Sequence, residues 1–188
     1  MVQKYFPGSL RESGDGNRLP SLGEIGLNRF APYLINRLSA SYNAHLQEAL
    51  KPLNLTTARM RALSLLTISE GLTVNELSYL AVVEQSTMSR SLDSLEEQGY
   101  VFRQSRADDM RVREIRITDA GRAAFQRFWP TLYGIYHDLF DGIEPEEYDA
   151  FVVTLHKVLR NMDKHAMSGT GTAQRAAFAK AEESGEAE

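Results

Sequence analysis

A mainly α-helical fold carrying one small β-hairpin is what this sequence predicts, and three observations predict it. In residues 84–99, Met88, Leu92 and Leu95 stand at i, i+4 and i+7 on one face of a helix, while Gln85, Ser86, Thr87, Ser89 and Arg90 fall mostly on the other faces near its start. Gly99 follows as a helix-terminating glycine. Two short β-rich runs come next, residues 100–104 and 112–117, joined by a polar tip over residues 105–111 that carries arginine. A helix with an apolar back and a hydrogen-bonding front, followed by such a hairpin, is a winged helix.

The remaining elements follow in order. Residues 1–26 mix Gly, Ser, Pro and charges without a sustained period, predicting a partly ordered N-terminal arm with room for one short helical turn. Leu34, Ile35, Leu38, Tyr42, Leu46, Ala49 and Leu50 repeat at helical spacing, giving a long first helix over about residues 28–50, with Pro32 tolerated near its start and Pro52 after its end. Thr56 or Thr57 caps a second helix whose apolar positions Met60, Leu63, Leu66 and Ile68 run up to a stop at Gly71. Thr73 and Glu76 form a capping box ahead of Leu77, Leu80 and Ala81, a short third helix. Only residues 82–84 separate it from the helix described first, so the pair reads as a helix-turn-helix, whose second member is the one that enters a major groove.

After the hairpin, residues 118–121 (TDAG) start a fifth helix. Its Phe125, Phe128, Trp129, Leu132, Ile135, Tyr136, Leu139 and Phe140 are more apolar surface than one helix buries in a small domain, and Pro130 is expected to kink it without ending it. A last helix over residues 145–165 carries Tyr148, Phe151, Val152, Leu155, Val158, Leu159 and Met162. Residues 166–188 are mostly Gly, Ala, Ser and Glu and read as a disordered tail.

Composition narrows the function classes. The 188 residues suffice for one domain, or for a small domain with an oligomerisation element, and 43% hydrophobic with 24% charged residues is globular. No apolar run approaches the roughly 18 residues of a membrane span and nothing resembles a signal peptide, so a cytoplasmic protein without a membrane partner is expected. The absence of cysteine excludes disulfides, thiolate metal sites and cysteine redox switches. A net charge of −4 argues against indiscriminate coating of nucleic acid, so any DNA binding must come from a local patch. From Arg103 to Arg116 there are five arginines against three acids, a net of +2. The histidines at 45, 137, 156 and 165 have no metal-ligand spacing, and there is no P-loop, dinucleotide-binding glycine pattern or nucleophile elbow. The sequence therefore predicts neither cofactor, metal nor enzymatic activity.

The run S-T-M-S-R-x-L-x-x-L-E-x-x-G-Y-V at residues 86–101, followed by D-x-R-x-x-x-I-x-I-T-x-x-G at residues 109–121, closely resembles the MarR family of bacterial transcriptional regulators, over about residues 28–165. The resemblance implies a homodimer that binds double-stranded DNA. The helical dimerisation region would comprise residues 27–50 and 123–165, and the winged helix-turn-helix domain residues 51–122. It further implies a small aromatic or lipophilic acid as effector, bound where the first, second and fifth helices meet, with Tyr42, His45, Arg61, Phe125 and Trp129 as its residues. The same aromatic residues also fit a plain core or dimer interface. The chain departs from the family pattern at Val82, where a glycine is common in the turn, and at Ser94, where a second basic residue is common.

For DNA, Gln85, Ser86, Thr87, Ser89 and Arg90 are the candidates on the recognition helix. Arg111 at the wing tip is the candidate for the minor groove, oriented by Asp109 as the resemblance suggests, and Arg106 and Arg113 are candidate phosphate contacts. A winged-helix adaptor for other proteins, without specific DNA binding, is the alternative.

Overall fold

The computed structural model describes residues 22–166. Most of the arm expected over residues 1–26, and all but the first residue of the tail expected over 166–188, lie outside the described residues. The chain divides into two compact units, Met1–Leu46 and Gln47–Glu188.

In the first unit, α1 (Leu22–Ile25) is the short helical turn allowed for in the arm, and a 3-10 turn (Leu27–Arg29) follows. Helix α2 (Ala31–Leu50) starts three residues later than expected, because Phe30 is extended and Pro32, with φ preset and no N–H to satisfy, seeds the first turn. It runs past the unit boundary. Tyr33, Leu34, Ile35 and Leu38 are exposed along it.

The second unit begins its core with α3 (Thr57–Ile68). Thr56 caps it by accepting the Arg59 N–H at 3.3 Å, and Ala58, Met60, Ala62, Leu63 and Leu66 are buried. Two expectations are corrected here. Ile68 is 59% exposed, and the helix ends at that residue instead of running to Gly71. Ser69 is already extended, and Gly71, at φ +70°, turns the chain so that the Leu72 carbonyl accepts the Ile115 N–H at 2.8 Å. The glycine thus serves a helix-to-strand turn, a role that apolar spacing does not reveal.

Helix α4 (Val74–Leu80) carries both halves of the capping box: the Thr73 hydroxyl accepts the Glu76 N–H, and the Glu76 carboxylate accepts the Thr73 N–H at 2.7 Å. The tight turn after it places Val82 at φ 52° and 84% exposed. This is the left-handed region, where a β-branched side chain is strained. The strain explains physically why glycine suits this position. Val82→Gly is expected to raise stability by about 1 kcal/mol, the relief of strain partly offset by the greater freedom of unfolded glycine. Urea denaturation midpoints check this, and a lower midpoint contradicts it.

Helix α5 (Gln85–Glu97) buries Met88, Leu92 and Leu95 completely, as the i, i+4, i+7 spacing predicts, together with Ser91. Gly99 leaves it at φ 71°. Strands β1 (Val101–Ser105) and β2 (Arg113–Ile117) pair antiparallel with Val101 opposite Ile117 and Ser105 opposite Arg113, each strand starting one residue later than expected. Val101, Ile115 and Ile117 turn inward. Helix α6 (Asp119–Leu139) is capped by Thr118, which accepts the Gly121 N–H at 3.0 Å, and it continues through Pro130. Helix α7 (Pro145–Ala166) meets Phe140, the C-cap of α6, through ring contacts with Tyr148 and Phe151 at centroid distances of 4.9 and 6.3 Å. Trp129, Tyr133, Tyr136 and Leu139 on α6, and Phe151, Val153, Val158, Leu159 and Met162 on α7, remain exposed. Among the described residues no helix is long and apolar enough to cross a membrane.

Candidate nucleic-acid interface

The buried face of α5 fixes what its other face can offer. With Met88, Leu92 and Leu95 locked in the core, Gln85, Ser86, Thr87 and Arg90 are exposed and Ser89 is half-buried. Glu84 at the N-cap makes no side-chain hydrogen bond to the helix, so the first-turn N–H groups have no side-chain cap there. Gln85 is not free to turn: its amide donates to Asn75 Oδ1 of α4 at 2.7 Å, tying the two helices across the turn. Arg90 folds back toward the Ser86 carbonyl, 3.2 Å from Nε. Asn75 was invisible as a site residue in the sequence, because nothing in helical periodicity says which α4 side chain reaches α5.

On the wing, Asp109 shapes the tip through the main chain. Its carboxylate accepts the Arg111 N–H at 3.0 Å and its carbonyl accepts the Val112 N–H at 3.0 Å. This leaves the Arg111 guanidinium exposed, with no ion pair among the described residues. The expected orientation of Arg111 by Asp109 therefore works on its backbone. Arg113 is likewise exposed and unpaired among the described residues.

The other three arginines in the basic count are committed internally. Arg103 bonds Asp93, at 2.5 Å, and Glu96. Arg106, a candidate phosphate contact, pairs with Glu114 at 2.6 Å. Arg116 pairs with Glu114 at 3.1 Å and with Glu70 at 3.5 Å. The local charge of +2 is thus a smaller free patch than counting suggests, centred on Arg111 and Arg113.

Glu114 is 6% exposed. The hydrogen bond from Arg106 holds its carboxyl below the ordinary glutamate range, against the opposing effect of desolvation and with help from Arg116. A carboxylate with a depressed pKa adds stability that is fully present above its unfolded value, roughly 4.3, and is lost as pH falls through the folded value. Glu114→Gln is therefore expected to be less stable than the parent near neutrality and to show a shallower loss of stability from roughly pH 5 downward. Parallel acid slopes in urea titrations contradict this.

The residues expected at an effector are distributed as follows. Tyr42, half-buried, and His45, exposed, belong to the first unit. In the second unit the Arg61 guanidinium donates to the Ala81 carbonyl at 2.8 Å, beside Val82, and Phe125 stacks on Trp129 with centroids 5.6 Å apart. Trp129 is 48% exposed. Among the described residues no group of three or more His, Asp or Glu could hold a metal.

Known proteins bear on this arrangement. The MarR family sequence model matches residues 53–111. An uncharacterised HTH-type transcriptional regulator of Bacillus cereus is 30% identical over 130 residues, covering 69% of this chain and 84% of its own length. A MarR-family transcriptional regulator from Silicibacter pomeroyi is 40% identical, with a TM-score of 0.71 over 81% of this chain and 100% of that one. At 22% identity and a TM-score of 0.59, covering 68% of this chain and 97% of its own, BpsR of Bordetella bronchiseptica shares the fold; its structure concerns regulation of its DNA binding by 6-hydroxynicotinic acid. The motif-bearing helix and wing, their geometry and these likenesses agree, and the chain belongs to the MarR family of winged-helix transcriptional regulators.

Proposed function

We propose that the protein is a homodimeric, sequence-specific DNA-binding repressor, released from a pseudo-palindromic operator by a small aromatic or lipophilic acid. The observation that carries the reading is the division of α5: a completely buried back and an exposed Gln85, Ser86, Thr87 and Arg90 front, followed by a wing whose Arg111 and Arg113 guanidinium groups form no ion pair among the described residues. Arg90 and the neighbouring hydroxyls suit base edges and phosphates of a major groove, and Arg111 suits the negative potential of a minor groove. Arg113 remains a phosphate contact, whereas Arg106 is held by Glu114. The exposed apolar residues of α2 in one unit, and of α6 and α7 in the other, are surfaces that a second copy covers. Two recognition helices must then lie roughly 34–36 Å apart to meet successive grooves.

The effector acts by differential binding to two conformations, and shifts affinity by no more than that difference. Support for its class comes from BpsR, whose DNA binding is regulated by an aromatic acid. Duplex binding is expected to weaken steeply as salt rises, with slope about −0.9 per neutralised phosphate. A panel of aromatic acids is expected to quench Trp129, the only tryptophan, and to release the duplex at matching concentrations. Absent or salt-insensitive duplex binding favours the adaptor reading, in line with the net charge of −4 and the three internally paired arginines.

A further inference from the structure

The base of the wing holds an acid that the recognition surface does not use. Glu114 is buried on β2, and each of its oxygens takes one arginine: Oε1 accepts from Arg106 Nε at 2.6 Å and Oε2 from Arg116 Nη2 at 3.1 Å. Arg106 is the first residue after β1, and its own N–H donates to the Val112 carbonyl at 2.9 Å, closing the neck of the wing loop. Asp108 lies 4.0 Å from Arg106, and Glu76 of α4 adds to the negative field on it. Arg116 reaches Glu70, in the turn after α3, and Glu70 also pairs with Arg122 of α6. Alternating charges therefore run from the wing neck through β2 and the α3–α4 turn to α6.

Space as well as charge fixes the contact. A Cβ on Gly71 would come within 2.6 Å of Glu114 Oε2, so the bare glycine lets the turn sit directly on the carboxylate. A two-stranded hairpin has little stiffness of its own. Its aim depends on what fastens its base, and a buried acid between two cations loses that function if its charge is removed.

We infer that Glu114 is a positioning residue for DNA reading by the wing, its carboxylate fastening Arg106 and Arg116 so that Arg111 is presented to the duplex at one height and angle. This rests on the DNA-binding reading above, and moves Arg106 from phosphate contact to brace. Glu114→Gln keeps the size of the side chain and removes its charge.

The test uses a duplex recovered by wild-type protein from a random library, titrated against wild type, Glu114→Gln, Arg111→Ala and the double variant. Glu114→Gln is expected to weaken binding about three- to ten-fold in the wild-type background and less than about two-fold when Arg111 is already alanine. Equal losses in both backgrounds, or none in either, overturn the inference. In the free protein, amide exchange at Arg106 and Val112 is expected to accelerate by a larger factor than at Leu92 and Leu95, where it follows the loss of global stability alone. Equal acceleration in the core makes Glu114 a general stabiliser and overturns the positioning role. A wild type that selects no duplex at all defeats the DNA reading itself, an outcome distinct from a variant that binds as well as its parent.

Discussion

Gly121→Ala is expected to cost about 3 kcal/mol or more of folding stability. A Cβ there would sit inside the contact distance of the Tyr100 carbonyl oxygen and 2.8 Å from Ile117 Cγ1. The obstacle is backbone, so no side-chain rotation relieves it. That carbonyl is held in turn: it accepts the Thr118 N–H at 3.0 Å, and the Thr118 hydroxyl donates to the Gly99 carbonyl at 2.7 Å. The same hydroxyl caps α6 through the Gly121 N–H. One glycine thus lets a helix start directly on the chain that enters the hairpin, and displacing it moves the wing as well as the helix. Urea titration of Gly121→Ala checks the number, and a loss below about 0.5 kcal/mol, the scale of a neutral surface change, contradicts the packing argument.

Replacing both Arg90 and Arg111 by alanine is expected to weaken operator binding by about 10²-fold or more, each contact contributing roughly 1–3 kcal/mol. The two sit on different elements, the recognition helix and the wing tip, and share no hydrogen-bond partner among the described residues. Their effects should therefore add. Both are exposed, so the fold should survive their loss, and an unchanged urea midpoint is the control. If Arg111 reads a minor groove, its single variant should lose preference for the sequence flanking each half-site. Binding of the double variant within about two-fold of the parent contradicts the assignment of this surface, given the contact energies above.

Much of this was legible in the residues because it is local. Thr73 and Glu76 announce α4, Thr118 and Gly121 announce α6, and Met88, Leu92 and Leu95 announce the buried face of α5, since caps and periodicity act over three to seven positions. What escaped was decided by register and tertiary approach. Strand alternation says that Arg106 and Glu114 flank a hairpin tip, but not that the glutamate is buried or that it takes the arginine. Charge counting could not separate Arg111 and Arg113 from Arg103, which spends its charge on Asp93 and Glu96 of α5. Ile68 looked like core because its spacing fits, yet the helix ends on it with its side chain outward. The departure at Val82 was visible in sequence, while its left-handed backbone needed coordinates.

Sequencing the duplexes that the wild-type protein enriches from a random library decides whether it reads DNA as a two-fold dimer. A two-fold pair of recognition helices predicts a pseudo-palindrome whose half-sites are centred about 10–10.5 base pairs apart. Recovery of no enriched sequence, or of a single asymmetric half-site, contradicts it.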